Sequence, residues 1–320
     1  ASMGYTSNLT GAFYTSRGWT EPALIAYMES HDEERMMYKN EQFGNSSGDY
    51  DVRNTVTGLR RCELASAFFY TVPGPKMLWQ FGELGYNFSI NYCPGGGIDN
   101  NCRVDPKPIR WDYFESPNRQ RLYNVTKALI ELKTDYPVFR TTDFSSDLGT
   151  TAKNIQLNSA DMDVAVLGNF AVQAQPITDA FQHTGMWYEY FSGDSLMVTD
   201  VGQPVDLLPG EYRLYTDIRL NEPPGGYISS AREVLTEAFE LKVFPNPTTD
   251  RFTASFQLPV ASDVQLQLLD MNGRVLSTLQ EQRVPAGPYE VGASVVLPAG
   301  VYIVQLRANG QLQTQRLLVQ

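Results

Sequence analysis

The sequence predicts a multidomain fold: the tail of a larger α/β sheet or barrel, followed by two all-β sandwich domains. Three observations predict it. Residues 22–133 alternate short apolar runs with segments of helical periodicity. After residue 138 the runs become short, β-rich and separated by Gly, Asp and Asn. The last eighty residues carry a second, independent set of alternating strands, and 320 residues leave room for two or three domains.

"ALIAYMES" (23–30) is a short apolar run that fits a buried strand. "VRNTVTGLRRCELASAFFYTV" (52–72) places Val56, Leu59, Cys62, Ala65 and Phe69 at helical spacing, and Pro73 ends that helix. "KMLWQF" (76–81) reads as a second strand. "NRQRLYNVTKALIELK" (118–133) repeats Leu122, Val125, Leu129 and Leu132 as a second amphipathic helix. Strand–helix alternation implies parallel strands covered by helices. Two such strands would leave open edges, so this portion needs further strands to complete it.

Residues 139–220 contain "NIQLN", "MDVAVLGNF", "GMWYEYFSG", "DSLMVTD" and "GEYRLYTDI", five runs that suit a sandwich. Residues 221–240 are Pro/Gly-rich and then polar, and read as a linker. In 241–320, Phe252, Ala254, Phe256 and Leu258 alternate inward, as do Val264, Leu266 and Leu268. Asn272-Gly273 and Asn309-Gly310 are hairpin turn signals. The domains are thus expected at 1–138, 139–220 and 241–320.

The net charge of −11 excludes a nucleic-acid partner, which requires a Lys/Arg-rich face, and disfavours an anionic membrane surface. No apolar run is long enough to span a bilayer, so no transmembrane segment is expected. The opening "ASMGYTSNLTGAFY" lacks a basic region followed by an apolar core. The expectation is either a protein that is not exported or a chain that begins inside a longer precursor. Cys93 and Cys102 flank the turn-rich "PGGGIDNN" and suit a disulfide in an oxidising compartment, against the alternative of two free loop thiols. Cys62 reads as a small core hydrophobe.

"MESHDEER" (28–35) lies where the first strand ends. From the residues alone it is either a solvated charge cluster at a helix start or a sugar-binding constellation. Glycosidic cleavage passes through an oxocarbenium-like state that an ionised carboxylate stabilises, and a neutral His hydrogen-bonds sugar hydroxyls. The segment resembles the last conserved motif of the α-amylase family of glycoside hydrolases, where a His-Asp pair closes the seventh barrel strand. "GPKMLWQFGELGY" (74–86) resembles that family's eighth strand, and "DPKPIRWDY" (105–113) resembles the loop after it. "YNVTKALIELKTDYPVF" (123–139) resembles the last barrel helix and the entry into a C-terminal β-sandwich. Four motifs in register span residues 20 to about 220.

The resemblance implies the last two βα units of a (β/α)8 barrel, whose active site faces the C-terminal ends of the strands. It implies a catalytic role for Asp32, stabilising the transition state, and a sugar-binding role for His31. Arg35 is grouped with the substrate-binding residues. Glu83 matches a position near the cleft, or else braces its loop. Trp111 stacks on a sugar ring or packs in the core. The family's nucleophile and general acid lie on earlier strands, and no residue of this chain matches them, so the chain alone is expected to be inactive. The implied reaction is retaining hydrolysis of a starch-like α-glucan. The alternatives are a branching transferase, which "RWDYFESPNRQRLY" also resembles, and a non-catalytic surface glucan-binding protein. No cofactor and no metal ligand are assigned within the segment; the resemblance places any Ca²⁺ on barrel residues that this sequence does not contain.

"VFPNPTTDRF", "LLDMNGRVL" and "LPAGVYIVQL", in that order near the end of the chain, resemble the C-terminal sorting domain of the Bacteroidetes type IX secretion system. That resemblance implies an extracellular or outer-membrane surface location, with the secretion machinery as a partner. A sugar-binding module is the other reading. The domain has few aromatics, and Phe252 and Phe256 fall on its buried face.

Overall fold

The computed structural model describes residues 7–228, 241–258, 262–271, 273–285, 287–294, 297–308 and 311–320. The chain divides into two compact units, residues 1–228 and 229–320.

In the first unit, β1 (Ala26–Tyr27) leads to α1 (Met36–Phe43) and to a small hairpin of β2 (Ser46–Ser47) and β3 (Tyr50–Asp51). Then come α2 (Thr55–Thr71), β4 (Lys76–Met77) and α3 (Pro117–Asp135). The Asn54 side chain caps α2 by accepting from the Val56 and Thr57 amides, at 2.9 and 3.3 Å. The helix stops two residues before Pro73. Pro117 starts α3 at its first turn, where the missing N–H costs nothing. β1 and β4 pair in parallel, Ala26 with Lys76 and Tyr27 with Met77. Each is shorter than its apolar run, because among the described residues neither has a second neighbour to extend its ladder.

Among the described residues eight further strands form the β layer of this unit. They are β5 (Phe144–Asp147), β6 (Ala152–Leu157), β7 (Val164–Asn169), β8 (Gln175–Ile177), β9 (Gly185–Glu189), β10 (Ser195–Val198), β11 (Val205–Leu207) and β12 (Tyr212–Thr216). Six make one antiparallel sheet in the order β10-β9-β12-β7-β6-β5, and β11 pairs with β8. All six residues of β7 are buried. Val164 and Val166 face a core shared with Leu64 and Phe68 of α2 and Val125 and Leu129 of α3. Ala165 and Leu167 face a second core around Trp187, Ile177 and Leu207.

The helices of residues 1–138 therefore cover one face of the sheet formed by 139–220, and one core runs across the expected boundary at 138. Contact is close enough that a Cβ at Gly168 would overlap the Phe68 ring. Arg61, buried on α2, donates to the Asn169, Phe170 and Ala171 carbonyls at the end of β7. The start of the expected linker also belongs to this unit. Ile228 donates its amide to Phe191 O at 2.6 Å, and Leu220 and Ile228 pack against the shared core. The rest of that linker, 229–240, lies outside the described residues.

The second unit contains β13 (Lys242–Phe244), β14 (Arg251–Leu258), β15 (Ser262–Leu269), β16 (Val275–Val284), β17 (Gly287–Ser294), β18 (Gly300–Ala308) and β19 (Gln311–Val319). They form a three-stranded sheet, β13-β14-β17, and a four-stranded sheet, β16-β15-β18-β19. The predicted alternation is realised: Phe252, Ala254, Phe256, Leu258, Val264, Leu266 and Leu268 are all buried in one cluster. Asn272 and the 309–310 turn lie outside the described residues; the strands that these turns join pair antiparallel.

Candidate functional site

Both parallel strands end at the same edge, so the segments following β1 and β4 meet there. After β1 the chain turns through Glu29–Arg35. The Asp32 amide donates to Ser30 Oγ at 3.0 Å, and Ser30 Oγ in turn donates to Glu33. The Arg103 guanidinium, next to the Cys93–Cys102 disulfide, donates to the Asp32 carbonyl. Backbone contacts on both sides thus hold Asp32, while its carboxylate points outward. His31 Nε2 and Asp32 Oδ2 lie 3.2 Å apart, with side chains 69% and 66% exposed. Trp79, just beyond β4, brings its ring to 6.0 Å from the His31 ring.

Beneath this exposed pair lies a bracket of charged residues. Glu29 accepts from the Met36 amide at 2.7 Å and from Arg35 Nη1 at 3.4 Å. Arg35 is 2% exposed and sits 4.9 Å from the centre of the Tyr86 ring and 5.9 Å from that of Trp79. Burial raises the Glu29 carboxyl above its ordinary range, against the opposing pull of the Met36 amide and of Arg35. Burial also lowers the Arg35 pKa, although Glu29 works against it. The sequence expectation grouped Arg35 with substrate ligands; the structure instead places it under the loop, paired to Glu29. Glu34 ties down the next segment, accepting from Ser89 Oγ at 2.6 Å and from the Ile90 amide at 2.9 Å.

Arg35→Ala is expected to destabilise the first unit by about 3 kcal/mol, because it strands Glu29 as an unpaired buried carboxylate. Converting both residues to Met is expected to restore most of that loss, since no charge is then left to desolvate. Urea unfolding of the two variants checks this, and a single variant as stable as the parent would refute the bracket.

Glu83 follows β4 on a single helical turn and is half-buried, with burial raising its carboxyl. It shares a cavity of about 20 Å³ with Glu29, Tyr70 and Trp79. The structure therefore brings Trp79 against His31, which pairs with Asp32, and lines a small cavity with Trp79, Glu83 and Glu29. Trp111 is 72% exposed, and its ring meets that of Phe81 edge-on at 4.8 Å. It is a surface aromatic, so the core alternative for it does not hold. Beside it an open recess of about 480 Å³ is lined by Asn87, Arg110, Tyr113 and Arg119. Cys93 and Cys102 form the expected disulfide, and Cys62 is buried and free.

Sequence reasoning did not single out Trp79, Arg103 or Glu29. Trp79 falls inside a run that reads as strand. Its position just past the strand end was the available signal. Nothing in the sequence connects Arg103 to Asp32 across seventy residues. A further cluster of Asp163, His183 and Asp217 gathers at one end of the six-stranded sheet, with ligand atoms all within 4.8 Å of one another.

Residues 242–320 match the family described as the secretion system C-terminal sorting domain. The chain carries a type IX sorting domain, which directs it to the extracellular or cell-surface space. Among the described residues no helix is long and apolar enough to cross a membrane. No curated protein matches the chain. Among solved structures it is similar to an α-amylase from Geobacillus thermoleovorans complexed with acarbose, at 16% identity and a TM-score of 0.44 over 62% of this chain and 40% of that one. It is also similar to an Anoxybacillus α-amylase, at 17% identity and a TM-score of 0.45 over 62% and 39% of the two chains. A third is Bacillus licheniformis trehalose-6-phosphate hydrolase, at 13% identity and a TM-score of 0.42 over 60% and 42%. The chain spans about two fifths of the length of these structures.

Proposed function

We propose that this chain is the C-terminal part of a secreted, α-amylase-like glycoside hydrolase acting on an α-glucan. The observation that carries the reading is the exposed His31–Asp32 pair at the C-terminal edge of two parallel strands, flanked by an aromatic ring, in the motif order of that family. Asp32 would lie against the anomeric centre as positive charge develops, and His31 would hydrogen-bond the sugar hydroxyls there. Trp79 offers a ring face beside them. Arg35 is a positioning residue: it holds Glu29 and the turn that carries the pair. Glu83 borders the floor of the cleft. Trp111 is a surface platform suited to an outlying sugar.

Retaining hydrolysis needs a nucleophile and an acid about 5 to 5.5 Å apart, and no residue of this chain matches either. The 320-residue chain alone is therefore expected to release no reducing sugar from starch above a heat-killed control. A polypeptide extended upstream to include an Asp nucleophile and a Glu acid on consecutive strands is expected to do so, with the α-configuration retained in the product by proton NMR. Transfer to a second glucan in place of water would establish the branching reading. Surface location favours hydrolysis, because branching serves internal glycogen. Glucan binding by an extended polypeptide that lacks both carboxyls would establish the non-catalytic binder instead.

A further inference from the structure

The geometry points to a divalent-metal site of zinc class formed by Asp163, His183 and Asp217, at the end of the six-stranded sheet. Asp163 immediately precedes β7, and Asp217 immediately follows β12. Those strands pair antiparallel, Thr216 opposite Val164, so both carboxylates emerge at one edge. His183 lies just before β9, which pairs with the other side of β12. Its Nε2 is 3.7 Å from Asp163 Oδ2 and 3.5 Å from Asp217 Oδ2.

Hydrogen-bond accounting fixes which atoms face the centre. His183 Nδ1 lies 3.0 Å from Thr184 O. A carbonyl can only accept, so Nδ1 carries the proton, and in the neutral ring Nε2 presents a lone pair. Asp163 Oδ1 accepts the Ser159 amide at 3.2 Å, and Asp217 Oδ1 accepts the Asp163 amide at 2.9 Å. Each carboxylate is thereby held by one oxygen, and the other converges on Nε2. Three electron-pair donors facing one another repel unless a proton on Nε2 or a metal cation lies between them, and the convergence of both carboxylates on one nitrogen is the geometry that a shared metal ion uses. A metal-ligating His whose second nitrogen donates to a backbone carbonyl is the usual supporting arrangement. The ring is also held from behind: its centroid is 4.9 Å from that of buried Trp187, whose Nε1 donates to His183 O at 3.2 Å.

One imidazole and two carboxylates form a borderline donor set that suits zinc better than the all-oxygen cage of calcium. Bonds of about 2.0–2.2 Å place tetrahedral ligands about 3.4 Å apart. The two His–Asp separations are near that value and all three ligand atoms lie within 4.8 Å of one another, so closure of the carboxylates on the ion completes three positions and leaves a fourth for water. Bound metal would tie three separate chain segments at one edge of the sheet, so its role is a structural staple. This inference does not depend on the glucan reading.

The experiment is calorimetric titration of the chelator-stripped chain with zinc chloride. Expected are one zinc per chain and a rise in Tm of roughly 5 °C at saturation, as for any ligand that binds only the folded state. The chain has two histidines, and H183A is expected to abolish binding while H31A keeps it. D217N preserves the acceptor for the Asp163 amide, so it tests the ligand oxygen without dismantling the turn; it is expected to weaken binding at least tenfold. No heat of binding by the parent chain would overturn the site and leave a His–carboxylate ion cluster. So would zinc binding that persists in both H183A and D217N, with their zinc-free Tm near that of the parent.

Discussion

Asp32→Asn, in the complete enzyme, is expected to lower kcat by about 10²- to 10³-fold with little change in ground-state glucan binding. The magnitude is that of losing one preorganised electrostatic group, roughly 3 kcal/mol. The asymmetry between kcat and binding follows from when the charge matters. A neutral substrate gains little from a carboxylate that an amide of the same shape does not also give it. An oxocarbenium-like centre gains the full charge interaction. The surroundings of Asp32 make the substitution a clean test. Its backbone is anchored by Ser30 Oγ and by the Arg103 guanidinium, neither of which contacts the carboxylate. The side chain is exposed and adjoins His31, so Asn fits the same space. Steady-state kinetics on starch, with separate measurement of maltooligosaccharide binding to the variant, distinguishes the two effects. A near-normal kcat would reduce Asp32 to a scaffold residue and remove the main support for the proposed function.

The parts of this molecule that the sequence made legible share one property: their signal is local. α2 and α3 were readable from helical spacing, and the strands of the second unit from strict alternation. The disulfide was readable from two cysteines around a turn-rich loop. Extents were less legible. β1 and β4 read as eight- and six-residue runs, but parallel pairing needs partners on both sides, and only two residues of each are paired. The stripe assigned to α2 was also too narrow. From Gly58 to Thr71 every residue except Ala65 is buried, including Arg60, Arg61 and Glu63, because the helix lies between α1, α3 and the sheet. Such burial of charge becomes visible only with the partners. Glu63 meets Arg60 at 2.5 Å and Arg121 at 3.3 Å. The same holds for the site. The His31–Asp32 pair is contiguous and was found, whereas Trp79, Glu29 and the Asp163–His183–Asp217 cluster depend on strand register that no short motif encodes.

Removing residues 241–320 from the complete, upstream-extended enzyme is expected to stop surface delivery, leaving that enzyme inside the cell envelope with its specific activity unchanged in lysate. The second unit can be removed because it is sufficient in itself. Phe252, Phe256, Leu266 and Leu268 are buried within its own cluster, and among the described residues its two sheets consist of its own strands β13–β19. It has no His and no Cys, so it contains neither the commonest acid–base group nor a thiol nucleophile. Among the described residues few of its aromatics are free for a sugar platform: Phe252 and Phe256 are buried and Tyr289 stacks on Phe256 at 5.6 Å, which leaves exposed Phe244 and half-buried Tyr302. What remains is a surface of strands and polar side chains that the secretion machinery reads. The converse result should hold as well. Fusing 241–320 behind an unrelated reporter with its own export signal should bring that reporter to the surface in a host with the type IX system. Fractionation and surface proteolysis measure both outcomes. Normal secretion of the truncated protein would mean that the address lies elsewhere, and the unit would then be better explained as an accessory module acting after export. Failure of the reporter fusion alone would mean that the address also requires residues before 241.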